Sequence, residues 1–233
     1  MTHSVRLVFK KLIDPYAKVL MTLQPGAMVI DIGCANHSPK HHKEIRPDIV
    51  YTGVDIDRTT LDAEDERAAS QIIILSPETF APSLEAAVGP SRADLVTMKH
   101  VIEHVDDPFG TLRVAIKLLK QGGTLFLSFP SEKSVHLPSA RGTLNFHDDP
   151  THVWLPDLQA ILRTIKENNL TVEMAVSGWG HPILSAAGFV EYRVQRIRQL
   201  LWGTPLVSSP FLWSLFGFET IVVARASNRV NPV

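Results

Sequence analysis

Residues 93–108 read ADLVTMKHVIEHVDDP, and the fold of this stretch decides what the rest of the chain can be. Within it, His100, Glu103 and His104 spell H-x-x-E-H, the spacing of an inverted zinc-protease motif. A zinc site of that kind needs a sustained helix, so that both histidines project from one face and the glutamate serves as base. Here the apolar run ADLVTM leads straight into His100 as a strand, and Asp106, Asp107 and Pro108 follow soon after His104. About one helical turn is left between them. Glu167 and Glu173 are the downstream candidates for a third ligand, and neither lies in a recognisable ligand motif. A zinc hydrolase built on His100, Glu103 and His104 is therefore a remote alternative, and no metal is expected there. The stretch reads as a strand, a turn and a proline-started helix.

The same alternation extends on both sides. After Pro108, apolar residues recur at helical spacing until Gly122 and Gly123 stop them. Residues 156–168 repeat the device, with Pro156 near the start. Short apolar runs bounded by turn residues predict strands in AMVIDIG (27–33), VYTGVDID (50–57), SQIIIL (70–75), ADLVTM (93–98) and GTLFLSFP (123–130). LTVEMAVSG (170–178) and ETIVVARA (219–226) add two more. Apolar spacing over 5–23 predicts an N-terminal helix with a possible interruption at Pro15. The expected fold is α/β: an open, doubly wound, mostly parallel seven-stranded Rossmann-like sheet with helices on both faces.

All 233 residues are expected to form one domain: an N-terminal helix (1–24), a core (25–178), an insertion between the last two strands (179–218), the last strand (219–226) and a tail (227–233). A net charge of −1 gives no reason to expect a nucleic-acid partner. The single cysteine, Cys34, allows neither an intramolecular disulfide nor a cysteine-based zinc site, and reads as a small buried side chain. The N-terminus lacks a signal peptide's apolar run, so a cytoplasmic location is the expectation.

VIDIGCANHS (29–38) places an acid and a glycine at the end of the first strand, and YTGVDID ends the second in Asp55 and Asp57. This is the physics of a nucleoside site. Gly33 lets backbone approach a ligand closely, and an acid ending the second strand can accept both hydroxyls of a ribose. Taken in order, VIDIGCA, YTGVDID, ADLVTMKHVIEHVDDP and LLKQGGTLFLSFP resemble the class I S-adenosylmethionine-dependent methyltransferases over residues 25–178, especially their small-molecule branch. The resemblance implies S-adenosyl-L-methionine as cofactor. Asp31, Gly33 and Ala35 would surround its methionine part, and Asp55 would hold its ribose. Ile56 and residues near Ser76 would flank the adenine, with Lys99 and His100 beside the cofactor. Two places depart from the family's D/E-x-G-x-G-x-G loop, where Ala35 and His37 replace glycines, and the usual acid after the third strand is missing from IIILSPETF. A non-catalytic homologue of the same fold is the first rival.

The turn holding His104 becomes the rim of that cofactor cleft. NFHDDPTHVWLP (145–156) concentrates His147, Asp148, Asp149 and His152 where this fold places its substrate loop, and DDPTHV is similar to a segment of glycan-associated methyltransferases. His104, His147 and His152 are the candidate bases for an acceptor hydroxyl, with a nearby aspartate orienting the ring. A His2Asp metal site is a lesser alternative. The expected acceptor is a small molecule, a glycan or an amphiphile, methylated at oxygen. The insertion pairs Arg193, Arg196 and Arg198 with an apolar stretch running to Phe216, and reads as a lid, a dimer surface or a peripheral contact with the inner membrane face.

Overall fold

The computed structural model describes residues 13–35, 37–178 and 182–227. Seven strands form one sheet: β1 (Met28–Ile32), β2 (Val50–Asp55), β3 (Gln71–Ile74), β4 (Ala93–Lys99), β5 (Leu119–Pro130), β6 (Leu170–Ser177) and β7 (Glu219–Ala226). Their spatial order is β3-β2-β1-β4-β5-β7-β6. β1 to β5 run parallel, and β7 enters antiparallel between β5 and β6. The order reverses between β1 and β4, the place where an open α/β sheet offers a crevice beyond its carboxyl ends.

The strands are nearly continuous apolar runs because both faces of the sheet are covered. Val29, Tyr51, Leu95 and Phe126 pack on one face with Tyr16 and Leu20. Their neighbours Ile30, Val96, Leu125 and Leu127 pack on the other with Leu112, Ile161 and Ile165. Those partners lie on α1 (Pro15–Met21), α5 (Pro108–Leu118) and α6 (Leu158–Glu167). Ile13 is helical, Asp14 is extended and accepts from the Tyr16 amide at 2.8 Å, and the helix restarts as α1 at Pro15, so the break falls where Pro15 was expected to interrupt it. The first part of the predicted N-terminal helix, 5–12, lies outside the described residues.

Three helices were not legible: α2 (Ser38–Ile45), α3 (Ala63–Ala68) and α4 (Phe80–Val88). The first lies in NHSPKHHKEIRPD, a long connection between β1 and β2 in which no apolar periodicity marks a helix. It buries Ser38, Pro39, His42 and Ile45 at helical spacing, and two of these inward residues are polar. β5 also begins earlier than expected, at Leu119, with a register shift against β4 that accommodates the glycine pair.

The insertion is helical. α7 (Pro182–Trp202) crosses α8 (Pro210–Phe216) at Gly188, where a Cβ would lie 2.2 Å from the Phe211 carbonyl oxygen. Among the described residues, no helix is long and apolar enough to cross a membrane.

Candidate active site

A cleft of about 910 Å³ opens at the carboxyl ends of β1, β2 and β4. Gly33, Ala35, Asp55, Ile56, Lys99, His100, His104 and His152 all line it. Three predicted residues do not. Ser76 turns its hydroxyl to Glu78, and the neighbouring Pro77, Glu78 and Phe80 take the wall instead. His147 is exposed and outside the cleft. Asp31 is fully buried, so it acts from beneath the floor rather than at the surface.

The floor is a hydrogen-bonded network. Asp31 Oδ2 accepts from the Ser38 hydroxyl at 2.5 Å and the Tyr51 hydroxyl at 2.7 Å. Lys99 Nζ lies 3.3 Å from Ser38 Oγ and 4.6 Å above the Tyr16 ring. Burial raises the Asp31 pKa, against the pull of Lys99, Ser38 and Tyr51. Its second oxygen, Oδ1, is buried without a partner among the described residues. These contacts explain the polar inward face of α2: Ser38 is buried because Asp31 needs a donor.

Above the floor, Gly33 adopts φ +76°, and a Cβ there would lie 2.2 Å from Val101 Cγ2. Only glycine fits. His37 takes φ +62°, and its ring meets Asp65 Oδ2 at 2.7 Å while remaining half exposed. The imidazole therefore points away from the cleft wall and is anchored on α3. Asp55 Oδ2 accepts from the Ala35 amide at 2.9 Å, and burial raises its pKa. Cys34 is buried, and burial drives its thiol pKa upward, which makes it inert.

At the opposite end, ADLVTM is β4 and residues Ile102–His104 make a single tight 3-10 turn, not a sustained helix. His100 sits at φ +52°, an uncommon conformation for a side chain of this size. Its ring lies between Glu103 Oε1 at 3.0 Å and Glu219 Oε1 at 3.1 Å. Burial works against the charged ring, but these two carboxylates outweigh it and raise the pKa to about 10. The zinc-hydrolase reading fails here, because His100 is spent on two carboxylates and does not share a helix face with His104.

His104 and His152 come together with ring centroids 4.8 Å apart. His104 Nδ1 meets the Thr151 carbonyl at 3.1 Å, and His152 Nδ1 meets the Phe146 carbonyl at 2.6 Å. The expected orienting aspartate reaches His104 only at second hand: Asp149 Oδ1 accepts from the Thr151 hydroxyl at 2.6 Å, and that Oγ1 lies 3.0 Å from His104 Nδ1. Asp148 is spent on the amides of Ala140, Leu144 and Asn145, and Asp149 Oδ2 stands 4.0 Å from His152 Nε2. Backbone carbonyls and, for His104, the Thr151 hydroxyl orient the rings directly. Trp213 and Phe218 complete the wall beside His100, and Trp213 Nε1 donates to the Thr143 carbonyl at 2.7 Å. Glu219, Trp213 and Phe218 escaped the sequence reading. The signal available was topological: an antiparallel last strand starts where the parallel strands end, so Glu219 pairs with Pro130 at the cleft edge.

A family model described as a methyltransferase domain matches residues 3–175. The chain belongs to that methyltransferase family. A ubiquinone biosynthesis O-methyltransferase of Ralstonia nicotianae is 30% identical over 103 residues, which are 44% of this chain and 43% of that protein. The chain thus matches less than half the length of this curated relative. A SAM-dependent methyltransferase of Archaeoglobus fulgidus shares the fold with a TM-score of 0.56 at 13% identity, covering 94% of this chain and 99% of the other. The [4+2]-cyclase SpnF does so at 0.57 and 15%, covering 92% and 81%.

The family's cofactor is S-adenosylmethionine, and the residues present fit it. A cradle that a Cβ would fill lies at Gly33, an unspent buried acceptor at Asp31 Oδ1, and an acid at the end of β2. Those residues, with Ala35, Ile56 and Lys99, are the ones that would hold it in this methyltransferase.

Proposed function

We propose that this chain transfers a methyl group from S-adenosylmethionine to an oxygen of a glycan-type or other amphiphilic acceptor presented at an anionic membrane surface. The observation that carries the reading is a single cleft with the family's cofactor residues at one end and two carbonyl-oriented histidines at the other. The cofactor, when bound, supplies an electrophilic methyl that needs little activation. What remains for the chain is positioning and control of one proton. Gly33, Ala35 and Asp55 line the end that would hold one reactant, with Asp31 bracing the floor beneath them, while Trp213 and Phe218 offer an apolar wall to the other. Holding two reactants in line can supply about 7–11 kcal/mol of the barrier. With Nδ1 of both rings turned to carbonyls, Nε2 is the nitrogen that His104 and His152 can offer to an acceptor hydroxyl. Removing its proton adds roughly 10²–10⁴-fold.

The amphiphilic part of the reading rests on α7. Ile183, Val190, Val194, Ile197 and Leu201 are each at least half exposed and follow one another at helical spacing along its outer face. Arg193, Arg196 and Arg198 are exposed beside that stripe, the arrangement of a helix lying in a membrane interface. α8, which packs against α7, carries Trp213 into the cleft, so the membrane face and the acceptor wall belong to one insertion.

Calorimetry with S-adenosylhomocysteine tests the first half: the expected result is micromolar binding, and none at millimolar ligand would overturn it. Co-sedimentation with phosphatidylserine-containing vesicles tests the second. Binding is expected at low salt and loss when Arg193, Arg196 and Arg198 are changed to Glu; no binding at low salt removes the membrane part.

A further inference from the structure

Glu103, His104 and His152 each place one ligand-type atom so that the three lie within 4.8 Å of one another. We propose that these three side chains form a divalent transition-metal site at the acceptor end of the cleft. The site deepens the O-methyltransferase reading and rests on it only for what the cation would hold.

The unpartnered atom is the first argument. Glu103 is fully buried, and its Oε2 has no hydrogen-bond partner among the described residues. A buried carboxylate oxygen is costly to leave bare, and a cation is one of the few groups that repays it. The histidines supply the second. A metal-bound imidazole characteristically donates its other N–H to a carbonyl or carboxylate, which fixes ring and tautomer. His104 and His152 both make that contact through Nδ1, with the carbonyls of Thr151 and Phe146. Each ring then keeps a lone pair at Nε2. The carboxylate has the same outer support, since Glu103 Oε1 meets His100 Nδ1 at 3.0 Å and His100 is held in turn by Glu219. All three ligands are therefore braced from behind.

The remaining mixed cluster sharpens the point by contrast. His37, Asp62 and Asp65 also come within ligand distance, but Asp65 already accepts from the His37 ring and from the Asp62 and Lys40 amides. That cluster is satisfied without an ion. The site is also not the H-x-x-E-H of the sequence: His100 is its outer support, and its third ligand, His152, comes from another loop.

Two imidazoles and one carboxylate suit zinc, cobalt, manganese or iron, and three protein ligands leave coordination positions open. His104 and His152 line the cleft, so those positions face the acceptor. A cation there fixes an acceptor oxygen by coordination and lowers the pKa of its hydroxyl. With the ion bound, both rings coordinate it in place of the direct base role, and the hydroxyl proton passes to solvent in the open cleft.

The test uses the full chain, stripped with chelator and titrated with Co²⁺, reading visible d–d absorption and calorimetric stoichiometry. One Co²⁺ per chain is expected, displaced by Zn²⁺ and weakened roughly 100-fold in His104→Ala and His152→Ala. Glu103→Gln should weaken it as well, but that residue is buried, so His152→Ala is decisive, with S-adenosylhomocysteine binding as the check that the variant is folded. No Co²⁺ uptake by wild type at millimolar metal, or equal uptake by the folded His152→Ala protein, overturns the site. The two readings fail separately: a chain that takes Co²⁺ but not S-adenosylhomocysteine keeps the metal site and loses the methyltransferase reading, and the converse result does the reverse.

Discussion

The two ends of the cleft are built by opposite means. The cofactor end is made from consecutive strand ends, β1, β2 and β4, whose backbones the sheet holds in register. Its floor is a buried network around Asp31, and its key residues follow one another within a short span of chain. The acceptor end is assembled from the turn at 102–104, the loop at 145–152, α8 and the start of β7. Those pieces meet through side chain-to-backbone contacts such as His104 with Thr151 and Trp213 with Thr143. A rigid frame serves the reactant that every member of such a family shares. Separate, replaceable segments serve the one that varies.

The largest expected break in this contrast comes from Gly33→Val. With φ +76° and Val101 Cγ2 at 2.2 Å from a built Cβ, the substitution has no relaxed solution, and S-adenosylhomocysteine binding should disappear at millimolar ligand while far-UV circular dichroism is kept. Retained micromolar binding would mean that the cradle is not where the cofactor lies. Next comes His104→Ala, which should lower kcat by roughly 10²–10⁴-fold and leave S-adenosylhomocysteine affinity alone. If calorimetry shows both quantities falling together, the two ends are not independent.

Asp31→Asn tests the floor. Burial raises the Asp31 pKa above its unfolded value, so its contribution to stability is fully present below the unfolded pKa of about 3.9 and is lost as pH rises through the raised folded value. The D31N chain, with no charge to bury, should melt above wild type at neutral pH, with the gap closing toward pH 4. It should also bind S-adenosylhomocysteine about tenfold more weakly, since the change removes the charge carried by the unspent Oδ1. A melting difference that does not vary with pH would refute the buried-charge account. The smallest effect is expected from Gly188→Ala, where a Cβ would press on the Phe211 carbonyl. Thermal stability should drop by about 1–3 kcal/mol, with faster proteolysis within 182–217 and unchanged cofactor binding.

The contrast between the ends also explains what was readable. The strands announced themselves because burial on both faces demands mostly apolar runs, as in VIDI and ADLVTM. α2 was hidden because its inward positions answer to Asp31 rather than to a hydrocarbon core, so Ser38 and His42 look like loop residues. His37 looked like a defect in the glycine loop. Its positive φ is balanced by a carboxylate pair on α3 that no local reading could supply.

The sequence by itself determined the α/β alternation, the place of a cleft at the strand ends and the residues Gly33, Ala35, Asp55, Ile56, Lys99 and His100 along it. All of these depend on local pattern or on neighbours within one βαβ unit. Only the tertiary structure decided that His147 stays outside while His104 meets His152, that Glu219 clamps His100, and that Glu103 keeps, among the described residues, an unpartnered oxygen beside two histidines. His104 and His152 stand 48 positions apart (152 − 104) and His100 and Glu219 119 apart, and what joins them is the antiparallel entry of β7 and the return of the 145–152 loop over the end of β4. Spacing in sequence carries no record of such contacts, because the forces that make them act through space and not along the backbone.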